Sequence, residues 1–208
     1  QKIKDLPKLP NIYQEYSYAA YSHLKQAKSI GVSFSSGYYQ ADHWVMDDSG
    51  GQFSIVNDIL KGKVGSFSSA FLSLFNPQIQ EWENQVVEAS IKIVLGDFSI
   101  TFLQGEKILY DINLSPKDKE ITLVKIEGSP EIVSPLKTVK YNLDLNTWYN
   151  IKIEATDNDP NIKVYIDETL VLSYNEPNKP KSGLVRFDSS CNNCLSYIKD
   201  ANVNEVGK

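Results

Sequence analysis

The 208-residue chain is poor in the residues that most reactive chemistry needs: it has two cysteines, two histidines and one methionine. A zinc site takes about four ligands, and His23 and His43 lie far from each other and from Cys191 and Cys194 in the sequence. So few histidines also leave no basis for a Ser-His-Asp or Cys-His nucleophile. No apolar run approaches the roughly 20 residues of a membrane-spanning helix. Lys and Arg number 21 against 26 Asp and Glu, the signs interleave, and the net charge is −5. There is no basic stripe for nucleic acid to follow. No βαβ alternation and no internal repeat is visible, which argues against a parallel sheet.

What is present is an ordinary globular composition, 41% apolar and 11% aromatic, with length enough for one domain with a full core. The chain opens on Gln1, with neither Met nor a charged-then-apolar leader. We read it as the mature form of a secreted or surface protein, although an arbitrary chain boundary would look the same. Cys191-Asn-Asn-Cys194 is the only cysteine pair. In a secreted β domain it reads as a local disulfide clasp; free thiols and intermolecular bonds are the alternatives. Asn113-Leu-Ser115 matches a glycosylation acceptor, but Pro116 follows it.

Residues 1–10 carry Pro7 and Pro10 and read as extended. Ile12, Tyr16, Ala20, His23, Ala27 and Ile30 fit a helical period, capped by Asn11, while Tyr16–Tyr21 also alternates as a strand. Both readings stand for an N-terminal arm over residues 1–31. From Val32 the signals are β. Gln52–Val56 and Ile59-Leu60 flank Asn57-Asp58 as a hairpin. Val87, Ala89, Ile91, Ile93 and Leu95 alternate with Glu88, Ser90 and Lys92, a long strand with one wet face. Gly96-Asp97 turns it, Phe98, Ile100 and Phe102 follow, and strands are expected at Ile108–Leu114 and Ile121–Glu127. Pro130 and Pro135 mark a loop. Then Tyr149, Ile151 and Ile153 face in and Asn150, Lys152 and Glu154 out. Ile162, Val164 and Ile166 alternate with Lys163, Tyr165 and Asp167, Glu168-Thr169 turns, Leu184 and Arg186 oppose Val185 and Phe187, and Tyr197–Val206 closes the set. About ten to twelve strands joined by short turns argue an all-β antiparallel β-sandwich over residues 32–208.

Two segments carry a resemblance. Phe34-Ser-Ser-Gly37, Trp44 and Gly50–Gly62 resemble the opening "W … G-x-W-x-I-x-D-G-x-L" of the concanavalin A-like (laminin-G-like, glucanase-like) jelly rolls, with Phe53 where Trp is common and Asp58 where Gly is common. Trp148–Glu154, Ile162–Glu168, Ser182–Val185 and Tyr197–Val203 resemble that superfamily's closing "W-x-x-V-K-V-x … V-Y-x-D-G … G-x-I-G … F-D-N-V". The resemblance implies a jelly-roll fold, Trp148 as a strand-start core residue, and a carbohydrate-related role. Such patterns report architecture more than activity. Some members hold a structural calcium, which implies Asp200 on the last strand as a ligand. Ser33 and Ser35 stand where the opening acid is expected, and no other cofactor is implied.

Three functions follow as expectations. A secreted, non-catalytic glycan-binding or adhesion domain needs aromatics whose faces stack on sugar C–H groups beside hydrogen-bond formers. Candidates are Trp82, Tyr110, Tyr165, Tyr38, Tyr39 and Trp44, with Arg186 joining Tyr165 if their strands neighbour; each could instead pack under a loop. A glycoside hydrolase needs two carboxyls about 5 Å apart. Glu81 and Glu83 share a strand face at that spacing and Glu88 points to a wet face, although a solvated turn and a solubilising charge are the plainer readings of them. A lyase would need a Tyr/His pair. Finally, the arm over residues 1–30 could add to a neighbour's sheet edge and build a filament.

Overall fold

The computed structural model describes residues 29–31, 45–47, 51–56, 59–64, 71–75, 83–105, 107–128, 130–180, 182–190 and 193–206. Fifteen strands follow in chain order. The first five are β1 (Ser29–Gly31), β2 (Val45–Asp47), β3 (Gly51–Val56), β4 (Ile59–Val64) and β5 (Phe71–Phe75). Then come β6 (Gln85–Leu95), β7 (Phe98–Gln104), β8 (Ile108–Ser115), β9 (Glu120–Glu127) and β10 (Ile132–Lys140). The last are β11 (Trp148–Ala155), β12 (Ile162–Ile166), β13 (Thr169–Tyr174), β14 (Leu184–Ser190) and β15 (Leu195–Glu205).

They form two antiparallel sheets. One runs β13-β12-β11-β6-β15-β4-β3, with β1 also paired to β15; the other runs β10-β9-β8-β7-β14-β5-β2. The long alternating strand is β6, and it pairs along nearly its whole length with β11 and β15. Its inward residues join the rows of its neighbours: Val164, Ile153, Val87 and Val203 are consecutive cross-strand partners and all are buried. Phe98, Ile100, Phe102, Ile112, Leu114, Leu123, Val185 and Phe187 supply the facing layer. Each such side chain contributes about 1.5–3 kcal/mol by leaving water. After β6 the chain turns at Gly96, whose φ of 80° suits glycine, and passes to the other sheet.

The structure corrects four expectations. Pro135 lies within edge strand β10, where the register shifts between Pro135 and Lys137, a place that tolerates a residue with no N–H to donate. The hairpin after β12 turns at Asp167-Glu168, both at positive φ, rather than at Glu168-Thr169. Ser29–Gly31 pair with Asn202–Asn204, so the sheet already includes the last residues assigned to the arm. Tyr110, expected at the surface, is fully buried with its ring 5.9 Å from that of Phe102. The helix-or-strand segment before residue 29, and the assembly reading that depends on it, lie outside the described residues.

Gly183 sits on the backbone of Leu103, a residue at φ 51° where the pairing of β14 with β7 shifts register. A Cβ at 183 would run into the Leu103 carbonyl carbon and lie 2.6 Å from the Gln104 nitrogen. Its carbonyl accepts a 2.6 Å hydrogen bond from Gln85 Nε2, which ties it to the other sheet. We expect Gly183→Ala to lower unfolding free energy by about 2 kcal/mol or more in urea titration, since backbone must move to admit the methyl. A loss below about 0.5 kcal/mol would show that the contact relaxes freely.

Candidate functional site

The wet face of the eight-stranded sheet is built by the alternation that builds the core. Glu88, Ser90 and Lys92 point outward on β6; opposite them on β11 stand Lys152, Asn150 and Trp148, and on β15 stand Asn202, Lys199 and Tyr197. Between Lys199 and Asn202 the register shifts, and Asp200 takes φ 53°. That bulge lifts Asp200 outward, as bulges do. A cleft of about 400 Å³ opens there, lined by Glu88, Ser90, Asn150, Lys152, Glu168 and Asp200. Its floor is fixed: Ser90 Oγ donates to Asn150 Oδ1 at 2.7 Å. The Asn150 N–H donates to Asp167 Oδ1, and the Asp167 N–H donates to the Asn150 carbonyl, both at 2.9 Å. These bonds anchor the β12–β13 turn, so Glu168 at φ 65° presents its carboxylate to the cleft from a conformation that costs a non-glycine residue about 1 kcal/mol or more.

Beside the cleft, Lys152 Nζ lies 2.7 Å from Glu154 Oε1 and 5.2 Å from the Tyr165 ring centre. The hydrogen bond from Lys152 to Glu154 pushes the ammonium's pKa up, mainly through that bond and against partial desolvation. Partial burial pushes the Glu154 carboxyl up, but Lys152, Tyr165 and Lys163 together outweigh it and hold it below the usual range. Tyr165 therefore faces outward as expected, with its hydroxyl donating to Glu154 Oε2 at 3.2 Å.

On the other side of the cleft lies a row of aromatics and lysines. Lys92 Nζ is 5.1 Å from the Trp148 ring centre and 4.5 Å from that of Tyr197, and Lys199 Nζ is 4.8 Å from Trp148. Lys61 is the direct partner of Tyr197 on β4. Trp148 is thus not a core residue. It has the parity of Asn150 and Lys152, opposite to buried Ile151 and Ile153, and the superfamily pattern had overridden that alternation.

The seven-stranded sheet carries a second polar group on its outer face. Thr101 Oγ1 lies 3.0 Å from Asp188 Oδ2 and 3.3 Å from Asp111 Oδ1. One hydroxyl has one hydrogen, so it cannot fully satisfy two carboxylates. Desolvation and the charge of Asp188 push the Asp111 carboxyl up to about 6, against hydrogen bonds from Ser99 and Thr101 and the charge of Arg186. The Thr101 hydroxyl is placed to donate to either carboxylate, and below about pH 6 a protonated Asp111 can donate to the Thr101 oxygen and free that hydroxyl for Asp188. Arg186 Nη2 lies 3.5 Å from Asp188 Oδ1. Arg186 and Tyr165 therefore stand on different sheets and do not form one site.

Of the other candidates, Glu83 bridges to Ser182 and its N–H donates to Glu205 Oε1 at 3.3 Å, at the entry to β6. Glu88 does reach the cleft. Asp200 reaches it too, but among the described residues no group of three His, Cys, Asp or Glu could hold a metal ion. The opening loop around Ser33 and Ser35, which would complete the calcium site that the resemblance implies, lies outside the described residues. Cys194 is buried and there is no free thiol among the described residues. Glu81, Trp82, Tyr38, Tyr39, Trp44 and Cys191 lie outside the described residues. Sequence reasoning missed Trp148, Lys92, Tyr197, Asn150 and the Asp111–Asp188 pair. Alternation along β6 and β11 signals the first, the second and the fourth; only the fold joins β8 to β14 through β7.

No protein-family model matches the chain, and no curated protein matches it significantly. Solved structures do. The carbohydrate-binding module CBM66 from Bacillus subtilis is 16% identical, with 78% of this chain and 95% of that one covered at a TM-score of 0.61. A β-glucanase of Bacillus licheniformis is 13% identical over 87% of this chain and 100% of its own, at 0.64. The exoplasmic/lumenal domain of VIP36, in a Ca2+- and Man2-bound form, is 8% identical over 87% and 88%, at 0.62. At such identities the likeness is one of fold: the chain shares the two-sheet antiparallel jelly-roll sandwich of these structures.

The Asp111 pair gives a pH test. A carboxyl raised from 3.8 to about 6 is protonated in the folded chain and ionised in the unfolded one between those values. Its contribution therefore favours folding less and less as pH rises through about 4 to 6, and is fully unfavourable above that window. Asp111→Asn should raise stability near pH 7 by on the order of 2 kcal/mol, and the gap to wild type should close as pH falls towards 4. Thermal melts across that range check it; a gap that does not change with pH would overturn it.

Proposed function

We propose that this chain is a non-catalytic carbohydrate-binding domain of a secreted or cell-surface protein, and that it binds glycan on the wet face of the eight-stranded sheet. The cleft carries the reading. It lies within the size range of small-ligand sites, and Ser90, Asn150, Glu88 and Asp200 offer it convergent hydrogen-bonding groups. Tyr165 stands beside it, paired with Lys152 across β11 and β12. The likeness to a carbohydrate-binding module and to lectin domains supports the reading at the level of scaffold. In the same reading Cys191 and Cys194 form the clasp of an extracellular loop.

Affinity electrophoresis against a panel of neutral and acidic polysaccharides tests it. At least one glycan should retard the wild type, and Asn150→Ala should weaken that binding roughly fivefold to tenfold, the worth of one or two hydrogen bonds. No retardation by any polysaccharide would end the reading.

The Asp111–Asp188 pair favours a second reading, a glycoside hydrolase. Contacts of 3.0 and 3.3 Å to one oxygen hold the two carboxylate oxygens within about 6 Å of each other. That suits the retaining arrangement, with one group protonated and the other ionised. Ser99, Thr101 and Asp188 are each less than 9% exposed, which favours the non-catalytic reading because a polysaccharide must reach the pair. Release of reducing ends by wild type, abolished in Asp188→Asn, would reverse that preference.

A further inference from the structure

We propose that the lysine–aromatic row on the eight-stranded sheet binds an acidic polysaccharide, with Lys92, Lys199, Lys61 and Lys63 receiving the carboxylates of uronate residues. This rests on the carbohydrate-binding reading and names the class of glycan.

Placement is the first ground. Trp148, Lys92, Tyr197 and Lys61 are successive cross-strand partners on β11, β6, β15 and β4. Three inter-strand spacings carry the row about 14 Å across the sheet, a span for several sugar rings. Lys63 lies two residues beyond Lys61, so it is on the same face.

The second ground is charge without compensation. Lys125, Lys140, Lys152, Lys163 and Lys179 each lie 2.7–3.9 Å from a carboxylate oxygen. Among the described residues no carboxylate forms an ion pair with Lys61, Lys63, Lys92 or Lys199, on a chain whose net charge is −5. Lys107, Lys117, Lys119 and Lys137 also lack an ion pair among the described residues, but they lie beside or on β8, β9 and β10 of the other sheet, whereas these four share one face of the eight-stranded sheet.

The third ground is pre-organisation. Lys92 lies within 5.1 Å of two ring centres, and Lys199 within 4.8 Å of one. A lysine held against a ring by cation–π attraction loses less freedom when it meets an anion. The same contacts argue against a neutral sugar: a ring face that carries an ammonium is no bare stacking platform. Glu88, Glu168 and Asp200 lie at the cleft end of the face. That division of charge orients a uronate chain, with hydroxyls donating to the acceptors of the cleft and carboxylates turned to the row.

Calorimetric titration of the full chain with polygalacturonate, alginate, methyl-esterified polygalacturonate and a neutral glucan decides the matter. At least one of the two uronate polymers should bind, more weakly as NaCl rises, because exposed charges are screened. The ester and the glucan should bind at least tenfold more weakly. The Lys92→Gln/Lys199→Gln double variant should lose roughly tenfold in affinity, at about 0.5–1 kcal/mol per exposed ion pair. If that variant does not fold, Lys61→Gln/Lys63→Gln serves instead, with a similar loss expected. Neutral glucan bound as tightly as either uronate polymer would overturn the proposal and leave the carbohydrate-binding reading standing. Binding to none of the four would overturn the proposal, and the wider polysaccharide panel would then decide the carbohydrate-binding reading. Equal affinity for duplex DNA or for anionic lipid vesicles would also overturn it, since charge alone would then explain the row.

Discussion

The alternation of side chains along β6 governs both the interior and the exterior of this molecule. Val87, Ala89, Ile91 and Ile93 are at most 4% exposed, while Glu88 and Lys92 between them face water. β6 pairs on one side with β11 and on the other with β15, so its parity is imposed on both neighbours. A slip of one residue would bury Lys92 and Glu88 and expose the valine and isoleucines. Burial of one unpaired ion alone costs several kcal/mol, and register is strongly fixed wherever one face is buried. Trp148, Lys92 and Tyr197 meet outside because Tyr149, Ile91 and Ile198 meet on the inner face.

Departures from regular pairing do the shaping. The bulge at Asp200 breaks the match of β15 to β6 and brings a carboxylate to the cleft. A second irregularity, at Leu103, gives β7 a turn of backbone on which only Gly183 can lie. The turn at Asp167-Glu168 holds two non-glycine residues at positive φ, and its hydrogen bonds to Asn150 offset that strain. Two of these three irregularities border the cleft.

The two outer faces differ in their electrostatics. On the eight-stranded sheet acids and lysines are half-buried or exposed, and water screens them. On the seven-stranded sheet Thr101, Asp188 and Ser99 are buried although they point away from the core. There desolvation sets the behaviour of Asp111, whose carboxyl is pushed up to about 6. A neutral carboxyl in such a place costs less than a second buried anion beside Asp188.

Much of the fold was legible because a strand's period of two is written in the residues. Val87–Leu95, Tyr149–Ile153 and Ile162–Ile166 each announce which side is wet, and all three form strands of one sheet. β10 was hidden because its Pro135 reads as a loop, and only its position at a sheet edge makes that proline admissible. Tyr110 has the parity of Ile112 and Leu114, opposite to Asp111 and Asn113, so the alternation of β8 places it inside, and its choice as a surface aromatic ran against that signal. The sequence by itself determined the class of fold and the parity of the long strands. The tertiary structure alone decided that Trp148, Lys92, Tyr197 and Lys61 stand in one row and that Asp111 meets Asp188 across Thr101. Those contacts join residues up to 136 and 77 positions apart, and their register is set by the packing of a common core rather than by any local signal.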